Sequence, residues 1–334
     1  MKPRDIILGN ITHDNPPRPG VRFDRGRLTD IRTVGLTPSP GFQERKWVEG
    51  RIEFREDEWG NIWHRFVDGC LGGEIFKPAV EDWAQLRDLR VPDFDNPVRY
   101  EKMRTIFAQE TELFRLASIP GWVFATSRYL RKMENYFADL ILERDHIEEL
   151  HDIVTGLYER VIIRCAEAGA DGIFFCEDWG TQERTLVGPD MWRDIFAPHF
   201  RRLCGTAHKH GLKVLMHSCG YNWELLDDLM DSGIDLFQFD QPALYDQPAL
   251  AAKLRERKVG LWVPVDIQKV MPTGNKELIE QEVARMVELY QGGIIFKNYG
   301  DLQGIGVKLE WDMWAYHAIL KACGLEDPKN KEAV

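Results

Sequence analysis

Gly172-Ile-Phe-Phe-Cys176 and Lys213-Val-Leu-Met-His217 are two short apolar runs, and the segment 190–210 between them has the pattern of a helix. Strands that are apolar on both faces and alternate with helices are typical of a parallel sheet that helices cover. This stretch therefore predicts a β-α-β unit, and we look for the same alternation of strand and helix in the rest of the chain.

The same pattern continues on both sides of this unit. We predict further strands at Trp122–Thr126, Asp235–Phe239, Gly260–Val265 and Gly293–Lys297, and helices at 146–168, 222–232, 247–257 and 276–290. These make six strands, and the N-terminal region can supply two more. Eight strands would close a (β/α)8 barrel of the TIM type, whereas six would form an open doubly wound sheet.

The N-terminal region has a different pattern. The run from Arg51 to His64 alternates in part and turns at Trp59-Gly60-Asn61, which predicts a β-hairpin followed by a glycine-rich turn at Gly69 to Gly73. A short helix over 78–89 and a long helix over about 98–117 follow. We predict one domain over 1–326, with an N-terminal extension (1–118) packed on the main βα repeats (119–326), and a C-terminal tail at 327–334.

Composition limits the class of protein. The 334 residues are 44% hydrophobic and 29% charged, which is enough for a large core. The net charge of −11 opposes binding to nucleic acid and to anionic membranes. The longest apolar runs, such as Val259 to Val265, are too short to cross a bilayer, and the N-terminus has no signal-peptide segment. The six scattered cysteines include no CxxC pair, so we expect reduced thiols and a cytoplasmic protein.

Polar residues follow nearly every predicted strand, and in a parallel barrel these ends meet at one mouth. For each residue taken singly, the alternative is that it caps the following helix. The candidate catalytic residues are Glu177, Asp178 and His217. The candidates for substrate binding are Arg22, Trp179, Gln182, Asp240, Asp266, Asn298 and Tyr299.

His217 and Cys219 form the sharpest local pattern. Residues two apart on a strand point the same way, so an imidazole and a thiolate can face the mouth together and bind one zinc ion. The alternative is a core histidine beside a buried thiol. Zinc needs at least a third protein ligand, for which Cys176, Glu177 and Asp301 are candidates. A carboxylate at an apolar strand end, such as Glu177 or Asp178, can serve as acid, base or cation ligand.

Several segments resemble the uroporphyrinogen-decarboxylase-like superfamily. The similarity extends over about residues 55–320 and is carried by Asp57–Gly60, Ala79–Trp83, Asp171–Gln182, Pro189–Arg193, Ala207–Gly220 and Leu226–Leu236. The resemblance implies a (β/α)8 barrel and one of two chemistries. One is cofactor-free decarboxylation of a tetrapyrrole's acetate arms, and the other is zinc-dependent methyl transfer to or from a corrinoid protein.

The resemblance also implies site residues. The methyltransferases carry a His-x-Cys on one strand, which His217 and Cys219 match. Their third ligand is a cysteine in a late glycine-rich loop, and the corresponding stretch here, Lys297 to Gly306, has none, so the third ligand would be Asp301, Cys176 or Glu177. Arg18-Pro-Gly-Val-Arg22 is loosely similar to the arginine motif with which the decarboxylases grip carboxylates.

Three functions follow. The first is a zinc-dependent methyltransferase that moves a methyl group between a small methylated substrate and a corrinoid protein or thiol. The second is a metal-free decarboxylase, a carboxy-lyase that grips a polycarboxylate with Arg18, Arg22 and Arg25 and protonates it from Asp178. The third is a ligand-binding barrel without catalysis. Dimers are common in the superfamily, so the resemblance also allows a homodimer.

Overall fold

The computed structural model describes residues 1–68 and 72–327. Its strands, in chain order, are β1 (Gly20–Arg22), β2 (Ile31–Gly35), β3 (Arg45–Glu49), β4 (Ile52–Glu56), β5 (Ile62–Phe66), β6 (Glu74–Lys77), β7 (Phe114–Ser118), β8 (Gly172–Cys176), β9 (Lys213–His217), β10 (Leu236–Gln238), β11 (Gly260–Val263) and β12 (Ile294–Lys297).

The α-helices are α1 (Pro3–Thr12), α2 (Val98–Gln109), α3 (Val123–Arg131), α4 (Met133–Leu142), α5 (Arg144–Glu167), α6 (Pro189–Ile195), α7 (Ala197–Lys209), α8 (Leu226–Asp231), α9 (Gln247–Arg257), α10 (Lys276–Leu289) and α11 (Leu309–Ala322). Short 3-10 helices lie at Trp83–Asp88, Trp223–Leu225, Pro242–Leu244 and Met271–Thr273. Within the described residues, no helix is both long enough and apolar enough to span a bilayer.

Eight parallel strands form a nearly closed barrel in the order β1-β12-β11-β10-β9-β8-β7-β2. Helices surround it, so the predicted (β/α)8 fold is confirmed. The N-terminal region supplies the two additional strands, β1 and β2, and a third barrel strand, β7, also lies before residue 119.

The predicted strand at Trp122–Thr126 is wrong, because these residues begin helix α3. The barrel strand here is β7, in what the sequence predicted as the end of a helix over 98–117. That helix stops at Gln109, where the Glu110 carboxylate accepts the backbone N–H groups of Glu112 and Leu113. Trp122 is fully buried because it packs in the core and not because it lies in a strand. Its ring stacks on Phe175 at 3.9 Å between centroids.

A four-stranded antiparallel sheet, β3-β4-β5-β6, is inserted between β2 and β7. Its β4–β5 pair is the hairpin that the sequence predicted, and the Asp57 carboxylate holds the turn by accepting the backbone N–H groups of Trp59 and Asn61. Part of the predicted glycine-rich turn (69–71) and most of the predicted tail (328–334) lie outside the described residues.

Helix α1 closes the amino-terminal end of the barrel. Its Ile7 and Ile11 join the apolar cluster of the barrel interior, together with residues such as Leu215 and Ile295. The fully buried Asn10 side chain donates to the carbonyl oxygens of Ile6 (2.8 Å) and Arg18 (3.1 Å) and accepts the backbone N–H of Ile294 (3.2 Å). One amide thus ties α1 to the start of β12.

Replacing this amide should loosen the barrel floor. We expect Asn10→Ala to lower the free energy of unfolding by about 2 kcal/mol, because buried backbone groups would lose their partners. Urea titration followed by circular dichroism measures the change. Asp5→Asn, at an exposed position of the same helix, is the control and should change stability by less than about 0.5 kcal/mol. Equal effects of the two substitutions would contradict this role for Asn10.

Candidate metal centre at the mouth of the barrel

The ends of β8 and β9 bring three potential ligands together. Asp178 follows β8, His217 ends β9 and Cys219 comes two residues later. The His217 Nε2 atom lies 3.2 Å from Cys219 Sγ and 3.5 Å from Asp178 Oδ1. Across the described residues, these three make up the only group of His, Cys, Asp or Glu whose ligand atoms all lie within 4.8 Å of one another.

The donor set and its spacing fit zinc. Sulfur, imidazole nitrogen and carboxylate oxygen are the ligands that zinc takes in proteins, at about 2.0–2.3 Å, so two tetrahedral ligands lie roughly 3.3–3.8 Å apart. Three protein ligands leave a fourth position open, as in catalytic rather than structural zinc sites. The three residues therefore fit a catalytic zinc ion.

A buried chain of polar side chains orients His217. Lys297 Nζ donates to Asp240 Oδ1 at 2.8 Å, and Gln238 Nε2 donates to the same oxygen at 2.8 Å. The Gln238 Oε1 atom faces His217 Nδ1 at 2.6 Å. Burial disfavours the charged form of Asp240, but the positive charge of Lys297 and the hydrogen bonds from Lys297 and Gln238 outweigh this effect and hold its pKa below the ordinary value.

This chain fixes the tautomer of His217. An ionised Asp240 can only accept hydrogen bonds, so the Gln238 amide must turn its NH2 group toward Asp240 and its oxygen toward the imidazole. An amide oxygen also only accepts, so Nδ1 of His217 carries the proton. The lone pair of Nε2 is then directed at Cys219 and Asp178, which is the state a metal ligand requires.

Two glycines hold the ligand loops against each other. A Cβ on Gly220, whose φ is +78°, would lie 2.4 Å from the carbonyl carbon of Gly180, and one on Gly180 would lie 2.6 Å from the Tyr221 nitrogen. The Asp178 Oδ1 atom accepts the backbone N–H of Cys219 at 2.9 Å across the same contact. The close approach of the backbones therefore places the carboxylate beside the thiol.

The thiol of Cys219 lies in surroundings that disfavour a thiolate. Burial comes first, and the charges of Asp178 and Asp240 add to it, so all three raise the pKa of the thiol. The loop that carries it is rigid, since the fully buried Asn222 amide donates to the Gly220 carbonyl oxygen at 3.1 Å.

Glu177 lies behind the cluster. It is fully buried, and its Oε1 atom accepts the backbone N–H of Ala125 in the first turn of α3 at 2.9 Å. Burial raises the pKa of Glu177 to about 8, although the hydrogen bond from Ala125 opposes the shift. Its carboxyl group faces α3 and is not one of the three clustered ligands, so the structure does not place it as a metal ligand.

Other candidates lie away from the cluster. Asp301, also a candidate third ligand, is not part of it, and its Oδ1 atom accepts the backbone N–H of Gly304 at 2.9 Å. Trp179, a candidate for substrate binding, is fully buried and stacks on Phe124 at 4.2 Å between centroids, so its side chain lies in the core. Its position after a strand did not reveal that the chain turns it inward.

The remaining candidates for substrate binding make hydrogen bonds within the protein. Asp266 is buried and accepts the backbone N–H groups of Gln268 and Val270, which matches the capping alternative. Gln182 receives a hydrogen bond from the Gln268 side chain at 3.2 Å. Asn298 is buried and accepts the backbone N–H of Asp24 at 2.9 Å, and the adjacent Tyr299 is partly exposed.

Two of the three N-terminal arginines that were candidates for binding carboxylates, Arg18 and Arg22, already have carboxylate partners, whereas Arg25 is exposed and donates to the Gly300 carbonyl oxygen at 3.4 Å. Arg18 makes two hydrogen bonds of 2.7 Å to Asp30, and Arg22 pairs with Asp24. Arg22 also stands opposite Lys297 in the β1–β12 register, so its side chain lies near the chain that orients His217.

Sequence reasoning missed three residues that contact the candidate site or the side chains that orient it, Gln238, Lys297 and Arg128. The first was detectable, because Gln238 precedes Asp240 by two positions and so shares its face. Arg128 is not detectable in this way, since it lies on α3. The Arg128 side chain is 11% exposed, and its Nη2 atom lies 3.8 Å from Asp178 Oδ2.

The fold and site define a (β/α)8 barrel with a histidine, thiol and carboxylate at its mouth. The uroporphyrinogen decarboxylase (URO-D) family model matches residues 69–300, so the chain belongs to this family. No curated protein matches the chain.

Two solved structures are similar to this one. A methyltransferase from Methanosarcina mazei has a TM-score of 0.59 and 16% identity, with 79% of this chain and 76% of that chain covered. A B12-independent methionine synthase from Shewanella sp. W3-18-1, in complex with selenomethionine, has a TM-score of 0.46 and 14% identity, with 70% and 67% covered. At 16% identity, the similarity to the Methanosarcina mazei methyltransferase shows a shared fold.

The glycine contact can be tested directly. We expect Gly220→Ala to lower the free energy of unfolding by about 2 kcal/mol or more, because a left-handed backbone alone costs an alanine about 1–2 kcal/mol. Gly205→Ala is the matched control, since Gly205 is exposed in α7 with open space around it and should gain up to about 1 kcal/mol. Chemical denaturation of both variants measures the difference, and an unchanged Gly220→Ala protein would refute the contact.

Proposed function

We propose that this protein is a zinc-dependent methyltransferase, which moves a methyl group between a small methylated substrate and a corrinoid protein or thiol. The observation that carries the proposal is the group formed by Asp178, His217 and Cys219. When bound there, zinc would supply Lewis-acid activation of the heteroatom that gives up or receives the methyl group.

The chain's own residues have distinct tasks in this proposal. His217 presents Nε2 as a ligand because Gln238 holds the proton on Nδ1. Asp178 is fixed by the backbone N–H of Cys219 and remains partly exposed at the mouth, with 37% of its side chain accessible. Arg128 supplies positive charge beside Asp178, which balances the acidic cluster.

The decarboxylase alternative has less support from the arginines. It needs free guanidinium groups to hold several substrate carboxylates. Of its three candidate arginines, Arg18 is committed to Asp30 and Arg22 to Asp24, which leaves Arg25 without a carboxylate partner among the contacts of the described residues. The corrinoid protein proposed as the transient partner would dock over the barrel mouth, where Asp178, His217 and Cys219 lie.

Elemental analysis tests the metal. Protein purified without chelator should contain about one zinc per chain. Cys219→Ala should lose it, because two ligands do not hold zinc firmly. Cys176→Ala is the matched control: this exposed thiol ends the neighbouring strand, opposite His217, but is not among the three clustered ligands, so zinc should remain. Zinc-free wild-type protein with full methyl-transfer activity would refute the proposal.

The orienting chain gives a second test. Gln238→Met keeps the size of the side chain but removes the acceptor for Nδ1, so we expect the affinity for zinc to fall by about 10- to 100-fold. Competition with a chromogenic chelator measures the affinity. Gln268→Met, at a position that contacts Gln182 and not the ligands, should leave it unchanged. An equal affinity in both variants would mean that Gln238 does not orient His217.

A further inference from the structure

A cavity of about 460 Å³ lies between the inserted sheet and the barrel. Gly35 and Ser118, the last residues of β2 and β7, form its floor, and Tyr129 of α3 forms one side. Arg55 and Trp63 of the β4–β5 hairpin form the opposite side. Its volume is that of a site for one small organic molecule.

The cavity adjoins the metal centre. Strand β7, at its floor, pairs with β8, which leads to Asp178. The Tyr129 hydroxyl in the cavity wall accepts a hydrogen bond of 3.2 Å from the NH2 group of Arg128. The same nitrogen lies 3.8 Å from Asp178 Oδ2. Two side chains, Tyr129 and Arg128, therefore connect a molecule in the cavity to the proposed metal ligand Asp178.

We infer that this cavity binds an aromatic ring that carries an anionic group, such as a carboxylate. The inference rests on the proposed function, because it names the class of methylated substrate. It is carried by the fixed aromatic walls and by the charge of the lining.

The aromatic walls are held in place before any ligand arrives. The Trp63 indole N–H donates to Asp57 Oδ2 at 2.7 Å, and its ring meets Tyr129 edge-on at 4.7 Å between centroids. Trp59 and Trp63 are both partly exposed and line the same space. Pre-oriented aromatic surfaces favour a flat ring, since stacking then costs little side-chain entropy.

Arg55 and Arg99 balance Asp57 and Glu58 in the lining, so a preference for an anion comes from how these charges are paired. Asp57 accepts hydrogen bonds at both oxygens, and Glu58 is paired with Arg99 at 2.8 Å. Arg55 differs from these groups, because it is 41% exposed and its ion pair with Glu44 is long, at 3.7 Å. Its guanidinium lies over the Trp63 ring at 4.6 Å, so it already occupies the cation site of that ring. The Arg55 guanidinium would repel a cationic ligand, whereas it could form an ion pair with a carboxylate.

Calorimetry on chelator-treated protein tests the inference without depending on methyl transfer. We expect 4-methoxybenzoate to bind, and to bind at least about tenfold more tightly than its neutral analogue 4-methoxybenzyl alcohol and than choline. Trp63→Leu should weaken 4-methoxybenzoate about tenfold or more, and Arg55→Gln should remove most of its advantage over the alcohol.

Strand β3 of the same sheet offers matched controls. Trp47 also donates its indole N–H to a carboxylate (Glu49, 3.0 Å) and lies under an arginine (Arg45, 4.8 Å), but neither residue lines the cavity. Trp47→Leu and Arg45→Gln should leave binding unchanged. Preference for choline, or equal losses in the cavity and control variants, would overturn the inference. Zinc analysis of the same preparations tests the proposed function separately.

Discussion

The ion pair between Lys297 and Asp240 is the interaction on which the proposed site depends. It joins two strand ends inside the barrel, and it keeps Asp240 ionised in a place where burial alone would favour the neutral acid. The charge then sets the direction of the Gln238 amide and, through it, the protonated nitrogen of His217. One lysine thus controls which atom of an imidazole two side chains away can bind a metal.

The barrel brings these side chains together because the register between its strands is fixed. Cys176, His217 and Gln238 are register partners on three adjacent strands, so their side chains project to the same side at the same height. Below them, the interior is filled with apolar side chains and closed by α1. The polar layer is therefore confined to the mouth, where a small molecule can reach it.

Much of this arrangement was accessible from the sequence, because strand periodicity carries it. The barrel, the hairpin and the proximity of His217 to Cys219 all follow from alternation and spacing. The sequence named Asp178 as a possible cation ligand but did not single it out from Glu177, because Asp178 lies beyond the end of β8, where the backbone no longer alternates and a glycine contact sets its direction. Trp122 was assigned to a strand because burial on all sides looks alike in a strand and in a core helix. The hairpin was predicted, but its packing over the barrel mouth is a long-range contact that no local pattern encodes.

The seal formed by α1 has a consequence for how the chain folds during synthesis. The helix is made long before its partners, because Asn10 accepts the backbone N–H of Ile294, which lies 284 positions later in the chain, and Ile11 lies against Gly260. Ile7 and Ile11 therefore lack these native partners until β12 has been made. Contacts of such long sequence separation slow folding and leave intermediates with sticky surfaces. We therefore expect this chain to fold more slowly than one whose first helix packs on its sequence neighbours.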